Sequence, residues 1–308
     1  NGSCSGRWHR RVRLTVTWYS RAGTQITFSR DSETYKLIGS LKGFHENPEP
    51  LHQITQAPFQ NGADRALTLY EPREISFNVL VWGPGYYSLE QNRQYLGLAF
   101  NSLLGPGTLV YEREDGQSFS LSCIANGKTP SEPFEEDSNY CKVTISLIAY
   151  DPFWYSYPQI RTDFGAGTPL QFPFKFDFRF PSSSPVETVT NNGNVATPIS
   201  FAITGVIEDP TITRTYTDEY GTQISEALSF TLTMTAGEVL TITTGPGNPT
   251  ITLLHDDSTY DANPFQYLNA DPKFFQIQPG DNVVSLTAVS IDAATTMIAL
   301  HGSRFTAV

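Results

Sequence analysis

The best candidates for metal ligands lie in one short polar segment. It contains two histidines and two glutamates: His45, Glu46, Glu49 and His52. Pro48 and Pro50 interrupt the segment, so the histidines cannot take the helical spacing that brings two imidazoles to one zinc ion. We therefore interpret the segment as a surface loop without a metal.

A second candidate is an acidic run that could supply oxygen ligands for calcium. Its three aspartates are Asp256, Asp257 and Asp261. The run lacks the glycine that bends a calcium-binding loop and the bidentate glutamate that closes it, which favours a solvated loop. The sequence thus predicts neither a metal ion nor a cofactor.

Catalytic motifs are equally scarce. The sequence has no G-x-S-x-G turn to expose a nucleophilic serine and no glycine-rich phosphate loop. Gly165 and Gly167 lead into Pro169 rather than into a helix, so they do not form a dinucleotide-binding turn. A glycan-cleaving pair of carboxylates is conceivable among 31 Asp and Glu, but nothing singles out one pair. We predict no catalytic residues and no enzymatic activity.

Aromatic side chains offer a different chemistry, since they can stack on sugars or fill a protein interface. Seven of them stand in segments that look exposed: Trp8, Trp18, Tyr86, Tyr87, Trp154, Tyr155 and Tyr157. Burial in a domain core is the alternative, and we favour it for Trp154. Four arginines cluster near the start: Arg7, Arg10, Arg11 and Arg13. They could attract an acidic partner or could be solvated at the end of a strand.

Charge excludes several classes of partner. The 308 residues include 20 Lys and Arg against 31 Asp and Glu, a net charge of −11 at pH 7. A chain this acidic, without a dense basic face, is poorly suited to neutralise nucleic-acid phosphates or to bind an anionic membrane. No stretch approaches the roughly 20 apolar residues that span a bilayer. An aromatic fraction of 13% nevertheless predicts a folded protein.

The three cysteines, Cys4, Cys123 and Cys141, are too few for a disulfide-rich scaffold and indicate synthesis in a reducing compartment. Cys123 and Cys141 lie on apolar runs on either side of a polar loop, so a cross-strand disulfide is conceivable. Two buried free thiols are the preferred alternative.

In the first half, short runs of alternating apolar and polar residues predict strands, and Arg21-Ala22-Gly23 predicts a hairpin turn between the first two. One segment, 88–105, has helical periodicity. Its apolar stripe comprises Leu89, Leu96, Ala99, Phe100 and Leu103. We expect Ser88 to cap this helix and Gly105 with Pro106 to end it.

The two halves differ in net charge and in the spacing of their turn-forming residues. Residues 1–160 carry 14 basic and 16 acidic side chains, a net of −2, whereas residues 161–308 carry 6 and 15, a net of −9. A stretch rich in proline and aromatics separates them, and its alternating phenylalanines, Phe172 to Phe180, predict a strand with one buried face. Beyond it, about eight β-runs separated by turns predict an antiparallel sandwich or jelly roll. We place the domain boundary near residue 160.

Ordered local patterns extend this interpretation. The first half contains GFHENPEP, APFQNGAD, YEPREISFNVLVWG, LLGPGTLVYEREDG and LIAYDPFWYS; the second contains NNGNVATPISFAITG, EDPTIT, TAGEVLTITTGPG, FFQIQPGDNVVSL and ALHGSRF. Their succession over nearly the whole chain resembles the siphophage distal tail protein family. The chain departs from the family in its longer arginine-rich start and in its ending, where HGSRFTAV replaces the basic, tyrosine-containing ending associated with the family.

The resemblance implies a mainly β fold. Residues 1–160 would form a β-rich belt domain with one helix, and residues 161–308 a galectin-like antiparallel β-sandwich. Family motifs supply markers of this fold rather than catalytic residues. Asp151, Pro152 and Trp154 would mark the end of the belt domain. Gly237 would mark one sandwich turn, and Pro279, Gly280 and Asn282 another.

The resemblance also implies a structural, non-enzymatic role at the tail tip of a virion, with assembly in the host cytoplasm. Six copies would form a ring that joins the tail tube above to the tail-tip hub below. The sandwiches would point outward and could dock receptor-binding proteins. DNA would pass through the ring without specific binding, which is consistent with the acidity of the chain.

A closed ring needs two different patches that meet between neighbouring copies. The mixed charge of residues 1–160 suits this, and six residues are candidates for the ring interface: Trp8, Arg10, Arg11, Arg13, Glu135 and Glu136. The arginines would face the acidic loop of the next copy. The alternative function is a carbohydrate-binding module, in which aromatic side chains of residues 161–308 grip glycans of the host surface.

Overall fold

The computed structural model describes residues 14–59, 61–127, 139–165 and 185–308. Strands dominate these ranges, which contain a single α-helix and confirm the predicted mainly β class. Contacts divide the chain into two compact units: residues up to Tyr157 with Thr306–Val308, and Pro158–Phe305. By contacts, residues 306–308 group with the first unit, whereas the sequence-based boundary near residue 160 assigns them to the second domain.

The described residues of the first unit form ten strands and one α-helix. The strands are β1 (Thr15–Tyr19), β2 (Gln25–Ser29), β3 (Tyr35–Lys42), β4 (Pro50–Thr55), β5 (Asp64–Tyr70), β6 (Arg73–Trp82), β7 (Gly107–Glu112), β8 (Ser118–Ala125), β9 (Tyr140–Ala149) and β10 (Trp154–Tyr157). The helix is α1 (Tyr86–Ala99), and a short 3-10 helix, Ser102–Leu104, follows it. The predicted hairpin around Arg21-Ala22-Gly23 is confirmed as the turn between β1 and β2.

Eight of these strands follow one another in the order β10-β8-β7-β1-β2-β3-β6-β9, and β9 also pairs with β8. That second pairing closes the sheet into a barrel. Alternate residues of each strand point into the barrel, as in β6, where Ile75, Phe77, Val79 and Val81 are all buried. The period-two patterns of the sequence therefore fix which side chains form the core.

The helix differs from its sequence-based prediction at both ends. It begins at Tyr86 after Gly85, which has no side chain to cap it, so Ser88 is not the N-cap. It ends at Ala99, because Asn101 accepts a hydrogen bond from the Leu103 amide and starts the separate 3-10 turn. Leu103 is consequently 93% exposed rather than part of the apolar stripe.

The side chain of Trp18 connects α1 to the barrel. The indole nitrogen of Trp18 donates a hydrogen bond to the carbonyl of Ala99 over 2.8 Å. The Trp18 ring also stacks on Phe100, with centroids 4.9 Å apart. Because Trp18 is buried in the barrel, it joins the C-terminal end of α1 to the core.

Arg73, at the start of β6, binds four backbone carbonyls. Its Nε donates to Pro152 over 2.6 Å, and its Nη1 donates to Gly43 and Glu46 over 2.6 and 2.7 Å. Its Nη2 donates to Thr306, which explains why the last described residues belong to the first unit. Burial lowers the pKa of Arg73 to about 10, against the opposing effect of the Glu46 charge, so the guanidinium is still charged at neutral pH.

A close backbone approach supports this cluster. Gly43 has a φ of +79°, and a Cβ at this position would lie 2.0 Å from the carbonyl oxygen of Glu74. Only glycine fits there, which explains the start of the GFHENPEP pattern. The next residue, Phe44, is fully buried and packs against Phe77, Tyr111 and Trp154.

Thirteen strands lie in the part of the second unit that the structure describes. They are β11 (Ile160–Gly165), β12 (Val186–Asn191), β13 (Ile199–Thr204), β14 (Ile207–Glu208), β15 (Thr211–Thr217), β16 (Gln223–Ser229), β17 (Thr233–Met234), β18 (Val239–Thr243), β19 (Thr250–Leu254), β20 (Gly280–Thr287), β21 (Ser290–Ile291), β22 (Thr296–His301) and β23 (Arg304–Phe305). A second 3-10 helix spans Pro264–Tyr267. The predicted phenylalanine-rich strand, 172–180, lies outside the described residues.

The main strands of the second unit form two antiparallel sheets, ordered β11-β22-β13-β18-β19 and β12-β20-β15-β16. Side chains from both sheets contribute to one apolar core that includes Phe201, Ile212, Leu240, Val284 and Met297. This arrangement confirms the predicted antiparallel sandwich.

Buried polar side chains tie the loops to this sandwich. Asn191 donates from Nδ2 to the carbonyls of Val195 and Ile277 and accepts from the amide of Gly193. His301 is 1% exposed, and its Nε2 lies 3.1 Å from the carbonyl of Thr190. Burial lowers the pKa of His301 below its ordinary value of 6.5, so the neutral ring is the stable form.

The two described cysteines are both buried free thiols. Cys123 pairs across the sheet with Gly107, and Cys141 pairs with Val81, so they are not cross-strand partners. Burial raises the pKa of both thiols, which keeps them protonated and unreactive. The disulfide considered from the sequence does not form.

The Arg73→Lys substitution tests the carbonyl cluster. A lysine keeps the positive charge but lacks the planar fork that reaches several carbonyls at once, so buried acceptors lose their donors. We expect the first unit to lose about 3 kcal/mol of unfolding free energy. All four tryptophans lie in residues 1–157, so tryptophan fluorescence in a urea titration reports this unit alone.

The matched control is Arg93→Lys, because Arg93 forms a partly exposed ion pair with Glu90 on α1. This control should change the unfolding free energy by less than about 0.5 kcal/mol. Equal stability of the Arg73→Lys variant and the parent would show that the four carbonyls do not depend on the guanidinium.

Acid should destabilise the second unit through His301. Because its pKa is lowered in the folded state, the unfolded chain binds more protons once the pH falls below about 6.5. The neutral ring of His301 therefore makes its full contribution to the free energy of unfolding above that pH. This contribution decreases as the pH falls below it. Scanning calorimetry at pH 7 and pH 5 should show that acid lowers the stability of the second unit less in the His301→Gln variant than in the parent.

His255 supplies a control of opposite sign. Its ring lies 2.6 Å from Glu238, whose carboxylate raises the pKa of His255. The pair therefore contributes to the free energy of unfolding below pH 6.5. This contribution is lost as the pH rises through the raised pKa of His255. An identical response of the parent and the His301→Gln variant to acid would contradict the assignment to His301.

Candidate assembly surface

The sequence analysis selected six residues as candidates for the ring interface. Trp8, Arg10, Arg11, Arg13, Glu135 and Glu136 all lie outside the described residues. Their pairing between neighbouring copies therefore stays a prediction. The described part of the first unit contains a different surface that can mediate assembly, and sequence analysis missed it.

This surface is the two-stranded sheet formed by β4 and β5, which we call the hairpin arm (residues 50–70). Neither strand pairs with the barrel, and almost every described residue of the arm is exposed. Phe59, near its tip, is fully exposed and has a φ of 68°, a left-handed conformation that phenylalanine rarely adopts. An isolated two-stranded sheet is marginally stable in water, so the arm needs further contacts.

The hairpin arm is amphipathic. Leu51 pairs with Leu69, and Gln53 pairs with Leu67, so three leucines share one face. These leucines are 46%, 44% and 49% exposed for Leu51, Leu69 and Leu67. We call this surface the leucine face, and it carries the apolar character expected of a buried interface.

The opposite face of the arm is mixed, because it carries polar side chains together with Ile54 and Tyr70, which are 65% and 41% exposed. His52 pairs with Thr68, and its Nδ1 lies 3.0 Å from the threonine hydroxyl. Arg65 donates a hydrogen bond to the same hydroxyl over 3.2 Å. These side chains satisfy one another and suit contact with water.

The base of the arm is held firmly. The Glu71 amide donates to the Glu49 carbonyl over 2.9 Å, and the ring of Tyr70 packs edge-on against Phe153. Arg73 follows the arm directly and binds the carbonyls of Gly43 and Glu46, which precede it. The chain entering the arm and the chain leaving it are therefore joined, and the position of the leucine face is set by the barrel.

The predicted markers of the first domain lie beside this base. The Asp151 carboxylate accepts a hydrogen bond from the Tyr155 hydroxyl over 2.6 Å and one from the Phe153 amide. Pro152 provides a carbonyl to Arg73. Trp154 is fully buried, which confirms the preference for core over surface. The contacts of these residues stabilise the fold of the first unit.

The markers of the second unit lie in tight turns. Gly237 has a φ of +93° in the turn between β17 and β18. Asn282 donates from Nδ2 to the carbonyls of Gln278 and Gly280 and accepts from the Gln278 amide, so its side chain holds the turn that contains Pro279. Gly280 has a φ of +89°. The role of these residues is local and conformational.

The exposed-looking aromatics divide between core and surface. Trp18 is buried like Trp154, whereas Tyr86, Tyr87 and Tyr157 are 64%, 74% and 44% exposed. In the second unit, the largely exposed aromatics of the described residues are Tyr220, Tyr260 and Phe265, and none lies on a strand of the two sheets. The outward sheet faces carry mainly threonine and serine, including Thr213, Thr215 and Ser225.

Small hydroxyl side chains give no flat apolar surface on which a sugar ring can stack. The sandwich sheets therefore offer no support for the carbohydrate-binding alternative as the sequence framed it. Within the described ranges, no group of three or more histidine, cysteine or acidic residues is arranged to hold a metal ion. No helix of that part of the chain is both long and apolar enough to cross a bilayer.

Comparisons with known proteins agree with this architecture. Residues 30–149 match the phage tail protein RIFT-related domain family. The SPP1 Dit protein, described as a paradigm of the hub adsorption apparatus in phages that infect Gram-positive bacteria, has a similar fold with a TM-score of 0.61 at 13% identity. The match covers 95% of this chain and 99% of that one.

A chain of the phage P2 baseplate, in its activated conformation with calcium, gives a TM-score of 0.56 at 14% identity over 94% of this chain and 98% of that one. No curated protein sequence matches the chain. Residues 30–149 thus match a phage tail domain family, and the chain has a fold similar to that of the SPP1 Dit protein, which confirms the resemblance indicated by its ordered sequence patterns.

Proposed function

We propose that this protein is a structural distal tail protein of a long-tailed phage or a phage-like particle. Six copies form a ring at the tail tip, with residues 1–160 as the belt and residues 161–308 as outward sandwiches. The ring joins the tail tube to the tip hub, and the sandwiches provide surfaces for receptor-binding proteins. The tail-protein family match and the whole-chain fold support this role.

The leucine face of the hairpin arm is the observation that carries the proposal. Fully burying a leucine contributes about 1.5 to 3 kcal/mol, so three half-exposed leucines represent a substantial unused driving force. The face belongs to a marginally stable two-stranded sheet, which gains order when a partner covers it. A second copy of this chain is the partner available at the highest local concentration during ring assembly.

The geometry of the arm suits a head-to-tail contact. One copy extends an arm, and the next copy receives it on a different patch, which is the heterologous type of interface from which rings close. The arm is fixed at its base, so the same angle recurs at each step. Acidic composition is compatible with a channel that lets DNA pass, because few cations are available to hold phosphates.

A double substitution, Leu51→Ser with Leu69→Ser, tests the role of the arm. The two residues are directly opposite, so the change removes apolar contact at one place and should weaken each interface by roughly 3 kcal/mol. In mass photometry we expect the parent at six times the 34.2 kDa protomer and the double variant mainly as single protomers. Negative-stain images should show six-fold annuli only for the parent.

The matched control is Val289→Ser, because Val289 is an apolar residue of the second unit that is 73% exposed. This variant should assemble like the parent. Annuli that survive the double substitution would contradict the role of the leucine face, whereas a parent that is monomeric at every concentration would contradict the ring itself.

A further inference from the structure

A shallow site on the outside of the barrel is not explained by ring assembly. It lies between the turn that joins β2 to β3 and the outward face of β3 and β6, and it has a volume of 640 Å³. Lys36 and Leu80 are paired across the two strands, and Trp82 follows on the same face of β6. The volume falls in the range of about 300 to 1,000 Å³ that is typical of sites for small ligands.

Trp82 provides the main apolar surface of this site. Its side chain is 39% exposed, whereas Trp18 and Trp154 are buried in the core. The backbone of Trp82 is fixed on both sides, because its amide donates to the Thr34 carbonyl over 2.9 Å and its carbonyl accepts from Asn92 over 2.8 Å. An exposed indole on a fixed strand is a preorganised surface for stacking.

Four charged side chains surround the indole with balanced signs: Arg30, Asp31, Glu33 and Lys36. Within the part of the chain that the structure describes, none of them forms an ion pair or a side-chain hydrogen bond. Their donors and acceptors are thus available to a ligand. Two positive and two negative groups give no preference for an anion or a cation, which favours a neutral ligand rich in hydroxyl groups.

We propose that this site binds a neutral oligosaccharide. One pyranose ring stacks its C–H face on the indole of Trp82, since those hydrogens are attracted to the negative face of the aromatic ring. Its hydroxyl groups donate to the carboxylates of Asp31 and Glu33 and accept from Arg30 and Lys36. The proposal concerns the first unit and does not depend on ring formation.

The test begins with the full chain on an array of neutral and acidic glycans. We expect it to retain neutral oligosaccharides and to prefer them to sialylated or uronic-acid glycans. Calorimetric titration of the best neutral tetrasaccharide should then give an affinity that Trp82→Ala lowers at least about tenfold and Trp82→Phe lowers far less. Asp31→Asn, at the exposed rim, should weaken binding about fivefold.

Tyr150→Ala is the control, because Tyr150 is 74% exposed and is not part of the site. It should bind the tetrasaccharide like the parent. Retention of acidic glycans alone, or of none, overturns the proposal, and so does unchanged binding by Trp82→Ala. If Trp82→Ala fails to fold, the Asp31→Asn variant and quenching of tryptophan fluorescence by the sugar in the parent decide the question.

Discussion

The exposed leucine face of the hairpin arm is the feature on which the proposed assembly of this protein depends. Two strands that pair only with each other cannot bury both of their faces, and here the apolar face is left in water. Among the described residues the arm is a sheet of its own, and its three leucines are about half exposed. Another molecule that covers this surface would release the free energy of its burial, and in the proposed ring each copy would do so for its neighbour.

The buried arginine beside the arm explains how a marginal element has a defined position. Arg73 places a charged group among four carbonyl dipoles in a core otherwise formed by aromatic and aliphatic side chains. Because a buried cation is costly unless its donors are satisfied, alternative arrangements of these loops are unfavourable. The same cluster fixes both ends of the arm, so the core of the barrel determines the direction of the interface.

Much of the fold could be predicted from the sequence. Buried and outward-facing residues alternate along the strands, as in β6 and β9. The turns carry glycine at positive φ, as at Gly43 and Gly280. The end of the helix was predicted wrongly because apolar periodicity continues through Leu103, while the local hydrogen bond of Asn101 ends the helix earlier. The arm was missed because its leucines alternate like core residues. Only the strand pairing reveals that the arm forms a separate two-stranded sheet among the described residues.

Hydrogen–deuterium exchange of the hairpin arm, followed from dilute protomers to assembled rings, tests the central claim most directly. Amides of a two-stranded sheet open readily in a free protomer and are protected when a neighbour covers one face. The account predicts that peptides spanning residues 50–55 and 64–70 exchange fast in the protomer and at least about tenfold more slowly in the ring. Equal exchange of these peptides in both states would contradict it.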